Sequence, residues 1–191
     1  MFGFFKKNKQ TLQSDIDNLA EQVALSINKF SKNKDLEYLC YSKYTKMDSV
    51  LFACFLVRAM CIGASTNQSR AIDFSNRFMD KFASSAQATH SPNDSSLFQR
   101  MFNNRMSFYD RIFMSKSGIE NKISAILEEF EYIVKADIVN GGYSEYTETS
   151  PLSLLPDGIM GDMKLREEAV SFFQTLPSII SPYFQNVQRS L

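Results

Sequence analysis

One histidine, His90 in the stretch THSPND, is all the imidazole that this chain of 191 residues holds, and it limits the chemistry the chain can assemble. A helical di-metal carboxylate centre needs two Glu-x-x-His pairs on facing helices, and a zinc protease needs His-Glu-x-x-His. One imidazole builds neither. A Ser-His-Asp or Cys-His relay would have to draw His90 out of a loop, with no Gly-x-Ser-x-Gly turn to seat a nucleophile. Gly141-Gly142 closes a helix rather than following a strand, and lacks the further glycine and lysine that grip phosphates. Glu128, Glu129 and Glu131 diverge around a helix and read as a solvated face. Asp157 and Asp162 bracket a glycine without the acid ladder of a calcium loop. The reading assigns no catalytic residue, no metal and no cofactor, and leans away from an enzyme.

The cysteines Cys40, Cys54 and Cys61 are odd in number, and the last two lie two helical turns apart, about 10 Å along an axis. That is too far for a disulfide. Free thiols in a reducing cytoplasm follow.

More specific chemistry sits in three charges placed on apolar stripes. Phe98, Met101, Phe102, Tyr109 and Ile112 surround the angular position of Arg105, and Asp137 falls on the stripe of Ile119, Ile123, Phe130 and Val134. Arg58 interrupts an otherwise apolar run. Charges so placed are rarely buried unless paired. The expectation is that Asp137 pairs with Arg105 or Arg58 inside the fold, leaving the second arginine for a loop carbonyl or an anionic ligand.

The elements that must hold these charges are helical. Ile16, Leu19, Val23, Ile27 and Phe30 recur at spacings of three and four, behind cap candidates Thr11 and Ser14. A second helix, from about 48 to 63, carries VLFACFLV and is apolar nearly all round, which places it at the centre of the bundle. Its apolar run, Val50 to Ala64, spans only about 22 Å against about 30 Å of hydrocarbon, so it does not read as a membrane span. A third helix, Gln68 to Ala86, buries Ala71, Ile72, Phe78, Met79 and Phe82, and ATHSPNDSS follows as a loop. Asp94 or Ser95 caps the Arg105 helix, Gly118 precedes the Asp137 helix, and Gly141-Gly142 ends it. Tyr143 to Gly161 keeps no period, with Leu152, Leu154 and Leu155 as its anchors. Two short helices, Asp162 to Leu176 and Pro182 to the end, close the chain. The prediction is an all-α, single-domain bundle of six or seven helices over residues 11–191, with a long loop at 143–161.

Seventeen Phe and nine Met with no Trp supply adaptable apolar surface, suited to a core or to a groove for a hydrophobic ligand or peptide. Net charge is zero, yet residues 1–116 carry 16 Lys/Arg against 10 Asp/Glu and residues 117–191 carry 5 against 11. Arg70, Arg77 and Lys81 share a helix face, the strongest nucleic-acid feature, but Asp73 and Asp80 flank it and the footprint is too weak for a nucleic-acid reader. At the start, Phe2, Phe4 and Phe5 stand beside Lys6, Lys7 and Lys9. Residues 1–10 are too short to span or to form a leader core, but they suit a flexible segment contacting a partner or an anionic membrane surface. The function expected is a non-catalytic cytoplasmic protein that binds another protein, touching the inner membrane face through its N-terminus. The alternative is a small-molecule or lipid-binding module, with an anionic headgroup met by Arg58 or Arg105. If residues 1–10 contact membrane, the chain should co-sediment weakly with anionic vesicles, and removing those residues should abolish it; equal sedimentation of both forms rejects the contact.

Overall fold

The computed structural model describes residues 36–64, 68–90, 93–115, 118–145, 147 and 152–188, together with Ser14, Asp17, Asn18, Glu21, Gln22 and Leu25. The expected membrane or partner segment Phe2, Phe4, Phe5, Lys6, Lys7 and Lys9 lies outside the described residues, as does most of the first expected helix, whose six described positions are helical. Five complete helices are described: α1 Lys43–Ala64, α2 Gln68–His90, α3 Ser95–Phe113, α4 Ile119–Val139 and α5 Ile159–Gln188. No strand occurs among the described residues, and the fold is all-α.

The number and ends of the helices differ from the expected six or seven for identifiable reasons. Helix α1 starts five residues before Asp48 because Ser42 and Thr45 cap it reciprocally. Ser42 Oγ accepts from the Tyr44 and Thr45 amides at 3.2 Å each, while Thr45 Oγ1 accepts from the Ser42 amide at 3.0 Å. Helix α2 continues through ATH, so His90 ends a helix instead of sitting in a loop. The two expected C-terminal helices are one: α5 runs through Pro177 and Pro182. A proline removes one backbone donor and crowds the preceding turn, which bends a helix without necessarily ending it. Ser178 Oγ, donating to the Thr175 carbonyl at 2.7 Å, accompanies the first of these interruptions.

Other ends match the sequence signals. Asp94 Oδ1 accepts from the Leu97 amide at 2.9 Å and starts α3, an N-cap bond that holds the Asp94 carboxyl below its ordinary range. Gly141 takes a φ of 64°, its amide donating to Ile138 O at 3.1 Å and the Gly142 amide to Asp137 O at 3.1 Å. This pair of bonds is a Schellman stop, which needs the left-handed conformation glycine adopts without strain.

Helix α1 packs against each of the other four and is the central helix. Phe52 is its aromatic hub: its ring stacks on Phe130 of α4 at 4.2 Å and lies 5.5 Å from Tyr109 of α3 and 6.3 Å from Phe172 of α5. Helices α4 and α5 run antiparallel, because Lys135 meets Asp162 while Glu131 meets Arg166. Two apolar residues expected inside are outside: Ile72 lies at the edge of its helix's buried stripe, and Ile123 lies on the stripe of α4 but ahead of Ile126, its first described buried residue. Phe74, on α2, is buried in their stead. No described helix is long and apolar enough to cross a membrane.

The head of α5 is docked on the turn that precedes α1. Glu168 accepts from the Glu37, Tyr38 and Leu39 amides at 2.8, 2.9 and 3.0 Å, giving three backbone amides of that turn a common acceptor. Tyr38 Oη donates to Asp157 Oδ2 at 2.7 Å. Gly161 lies so close that a Cβ there would stand 3.0 Å from Tyr38 Oη, 3.1 Å from Leu155 Cβ and 3.2 Å from Asp157 Cβ. In an open helix Gly→Ala stabilises by about 1 kcal/mol. Gly161→Ala should instead destabilise by about 1–3 kcal/mol through overpacking, measured by urea unfolding; a gain in stability would show that the contact yields.

Candidate functional site

Arg105 and Asp137 come together in the centre of the bundle, and neither side chain has any exposed surface. The Schellman turn after α4 positions Asp137 in the last turn, and the stripe of α3 turns Arg105 inward one turn before Tyr109. Arg105 Nη2 donates to both Asp137 oxygens at 3.3 Å. Its Nε donates to Asp48 Oδ1 at 2.9 Å. Its Nη1 donates to Asn104 Oδ1 at 2.6 Å and to the Ser144 carbonyl at 3.0 Å. A guanidinium carries its N–H donors on three nitrogens, and all three donate here. The Tyr143 ring covers the guanidinium at 5.2 Å, and the Ser144 amide donates back to Asp137 Oδ1 at 2.7 Å.

Asp48 is the member that sequence reasoning missed. It was read as the start of a helix, where an acid is unremarkable, but the Ser42–Thr45 cap moves the helix start back and turns Asp48 into the core. A signal was present in the pattern, since Asp48 shares its face with Phe52, one turn on.

Two buried carboxylates against one guanidinium would leave a net negative charge in the core. Burial first, and the neighbouring Asp48 charge second, push the Asp137 carboxyl up to about 9, against the opposing pull of Arg105. The second Asp48 oxygen, Oδ2, is buried with no hydrogen-bond partner. Burial thus drives Asp137 towards its neutral form. For Arg105 burial works against the charge, but Asp48 and Asp137 outweigh it and raise its pKa. Tyr109 Oη is buried beside this group without a hydrogen-bond partner, and burial followed by the Asp48 charge raises its pKa well above the ordinary phenol range. A proton-sharing acid pair is an arrangement that acid–base catalysts use. Here the pair is sealed from solvent and each guanidinium nitrogen of Arg105 already donates inside the protein.

Arg58 stands apart from Asp137. It pairs with Asp110 of α3 and lines a cleft of about 270 Å³ together with Met79, Asp80, Phe102 and Met106. Arg77 bonds Asp73 one turn away at 3.0 Å and Lys81 lies 3.8 Å from Asp17, so acids take up two thirds of the expected basic face; the Arg70 side chain is outside the described residues. Glu129, read as part of a solvated face, is buried, whereas Glu128 is exposed. No group of His, Cys, Asp and Glu able to hold a metal ion occurs among the described residues.

The second candidate site is open. Between α4 and α5 lies a groove of about 360 Å³ lined by Tyr132, Ile159, Met163 and Leu165, with Glu128, Glu131, Lys135, Asp162 and Arg166 around it. Ile159, Met160 and Met163 are 69%, 71% and 55% exposed, and Leu154 just before them is 57% exposed. Lys135 Nζ bonds Asp162 Oδ2 at 3.1 Å, and Arg166 lies 3.8 Å from Glu131 Oε2. The other oxygens, Glu131 Oε1 and Asp162 Oδ1, are buried with no hydrogen-bond partner, and burial raises the Glu131 pKa. No family model, curated protein or solved structure matches this chain. The sites are therefore read from their own chemistry.

For the buried cluster the sign of the pH effect follows from Asp137. Its folded pKa lies above its unfolded value of 3.8, so the folded chain keeps a proton that the unfolded chain loses. This contribution to stability is complete at pH below the unfolded value and falls as pH rises towards about 9. Asp137→Asn should remove that fall, because the amide has no proton to lose. Asp137→Ala should cost about 3–5 kcal/mol by leaving Arg105 and the Ser144 amide short of an acceptor. Urea unfolding from pH 5 to pH 9 checks both; a loss below about 1 kcal/mol for the alanine variant would reject a structural role.

Proposed function

We propose that this chain is a non-catalytic helical protein that acts by binding another protein through the face at the head of α5. The observation that carries this reading is the grouping of Leu154, Ile159, Met160 and Met163, four large apolar side chains left in solvent within ten residues of one another. Scattered exposed apolar residues are ordinary, whereas a contiguous group beside a groove marks an interaction surface. Methionine at two of these positions adds a flexible, polarizable side chain that adapts to a partner's shape. The setting supports recognition more than ornament: the Glu168 carboxylate and the close fit at Gly161 hold the head of α5 rigidly, so its outer face is presented without a loss of order on binding.

The compartment we assign is the cytoplasm. Cys54 and Cys61 are free thiols buried in α1, which suits a reducing environment. Contact of residues 1–10 with the inner membrane face belongs to the same proposal and rests on the Phe and Lys side chains there. A lipid-binding module built around Arg105 has less support, because all three of its guanidinium nitrogens already donate within a site that has no exposed surface.

A photoreactive phenylalanine analogue in place of Met163, in the full chain expressed in its own cells, should give a discrete adduct with one polypeptide. The same analogue at Ser107, exposed on α3, should not. Adding Ile159→Glu and Met160→Glu should erase the adduct while the unfolding midpoint stays near that of the unaltered chain. Identical adduct patterns from positions 163 and 107 would overturn the reading.

A further inference from the structure

We infer that the α4–α5 groove receives an amphipathic helix of a partner protein, whose apolar ridge covers Ile159 and Met163 and whose lysine or arginine reaches Glu131 and Asp162. The inference rests on the protein-binding reading and names the chemistry of the partner.

The shape fits a helix. The hollow beside Tyr132 continues past Met163 and Arg166 into a second of about 400 Å³ lined by Glu167, Val170 and Gln174. From Ile159 to Gln174 the two hollows follow α5 for about 22 Å, about four helical turns, the first walled by α4 and the second lined by one face of α5 alone among the described residues. An apolar floor between two antiparallel helices accepts a third through side chains spaced three and four apart.

The charge decides which helix. Glu128, Glu131, Asp162 and Glu167 border the groove against Lys135 and Arg166, an excess of two acids, four less two. Lys135 is mostly buried and committed to Asp162 Oδ2, and Arg166 extends into solvent, close only to Glu131 Oε2. The Glu131 and Asp162 side chains stay 15% and 27% exposed, so a partner's cation can approach them, and their Oε1 and Oδ1 atoms have no donor of their own. A carboxylate oxygen in that state gains most from a cationic N–H donor, which forms the strongest class of hydrogen bond. The same acid excess repels an anionic lipid surface, and it opposes a second copy of the chain docking groove to groove about a two-fold axis.

Three synthetic peptides of about 15 residues serve as probes, sharing one leucine ridge at helical spacing and carrying Lys, Gln or Glu at two central flanking positions. Their binding to the full chain is measured by fluorescence anisotropy at low and high salt. The Lys peptide should bind about tenfold more tightly than the Gln peptide at low salt, with the advantage shrinking at high salt, and the Glu peptide should bind weakest. Glu131→Gln with Asp162→Asn should erase the Lys-over-Gln preference and retain the shared apolar component, while Ile159→Glu should weaken all three. Equal affinity for the Lys and Gln peptides, a preference that survives the double variant, or no binding of any peptide overturns the inference. So does sedimentation with anionic vesicles, or self-association in the ultracentrifuge, that Ile159→Glu abolishes. Each of these results leaves the adduct at position 163 as a separate measure, so a protein partner of different chemistry is distinguished from none.

Discussion

The buried guanidinium of Arg105 is the constraint on which the arrangement of this bundle depends. Its planar fork demands acceptors in fixed directions, and they come from α1 through Asp48, from α4 through Asp137, and from the connection after α4 through Ser144. Apolar helices slide past one another at little cost when one leucine replaces another across an interface. A buried cation does not allow this, because a shift of one turn would strand it without partners. The aromatic layer lies one turn from the charged layer: Phe52 follows Asp48 by four residues and Tyr109 follows Arg105 by four. The two rings meet at 5.5 Å because the charged side chains four residues earlier meet at 2.9 Å. The same spacing shows that α1 and α3 run in the same direction, while Phe130 precedes Asp137 on the antiparallel α4.

Charge balance in that centre is as important as direction. An arginine with one aspartate would form a closed pair; with two it needs a proton as well. The bundle thus favours the neutral form of Asp137 by desolvation, against the pull of Arg105. Sealing this group from water is what makes it structural. The open face lies elsewhere, where α5 crosses α4 and its attachment is made by one side of the helix only. Glu168, Leu165 and Phe172 face inward, while Met163, Arg166 and Glu167 face the groove. Rigidity on one face and exposed apolar surface on the other come from the same helix.

Much of this was legible in residue types and spacing. The apolar stripes of α3 and α4 carry Arg105 and Asp137 at the centre of buried faces, so their burial and their need of a partner could be read directly. The apolar run of α1 announced its central place. Other features were hidden for physical reasons. Asp48 could be taken for a capping acid because a cap and a core charge have the same residue type, and only the Ser42–Thr45 bonds decide where the helix begins. Pro177 and Pro182 read as helix stops because a local rule cannot see the packing that carries α5 through them. Ile72 and Ile123 match the helical period yet face solvent, since a period defines a face and not how far a neighbour covers it.

The sequence by itself determined the helical class, the amphipathic faces, the two charges that had to be buried together, and the poverty of imidazole that argues against metal or relay chemistry. These follow from local spacing and from residue type, which no folding alters. The tertiary structure alone decided that Asp48 completes the charged centre, that Arg58 belongs to Asp110, and that the apolar head of α5 stays uncovered beside an acid-lined groove. Each depends on which helices lie side by side, a property of distant residues meeting in space that one helix's periodicity does not encode.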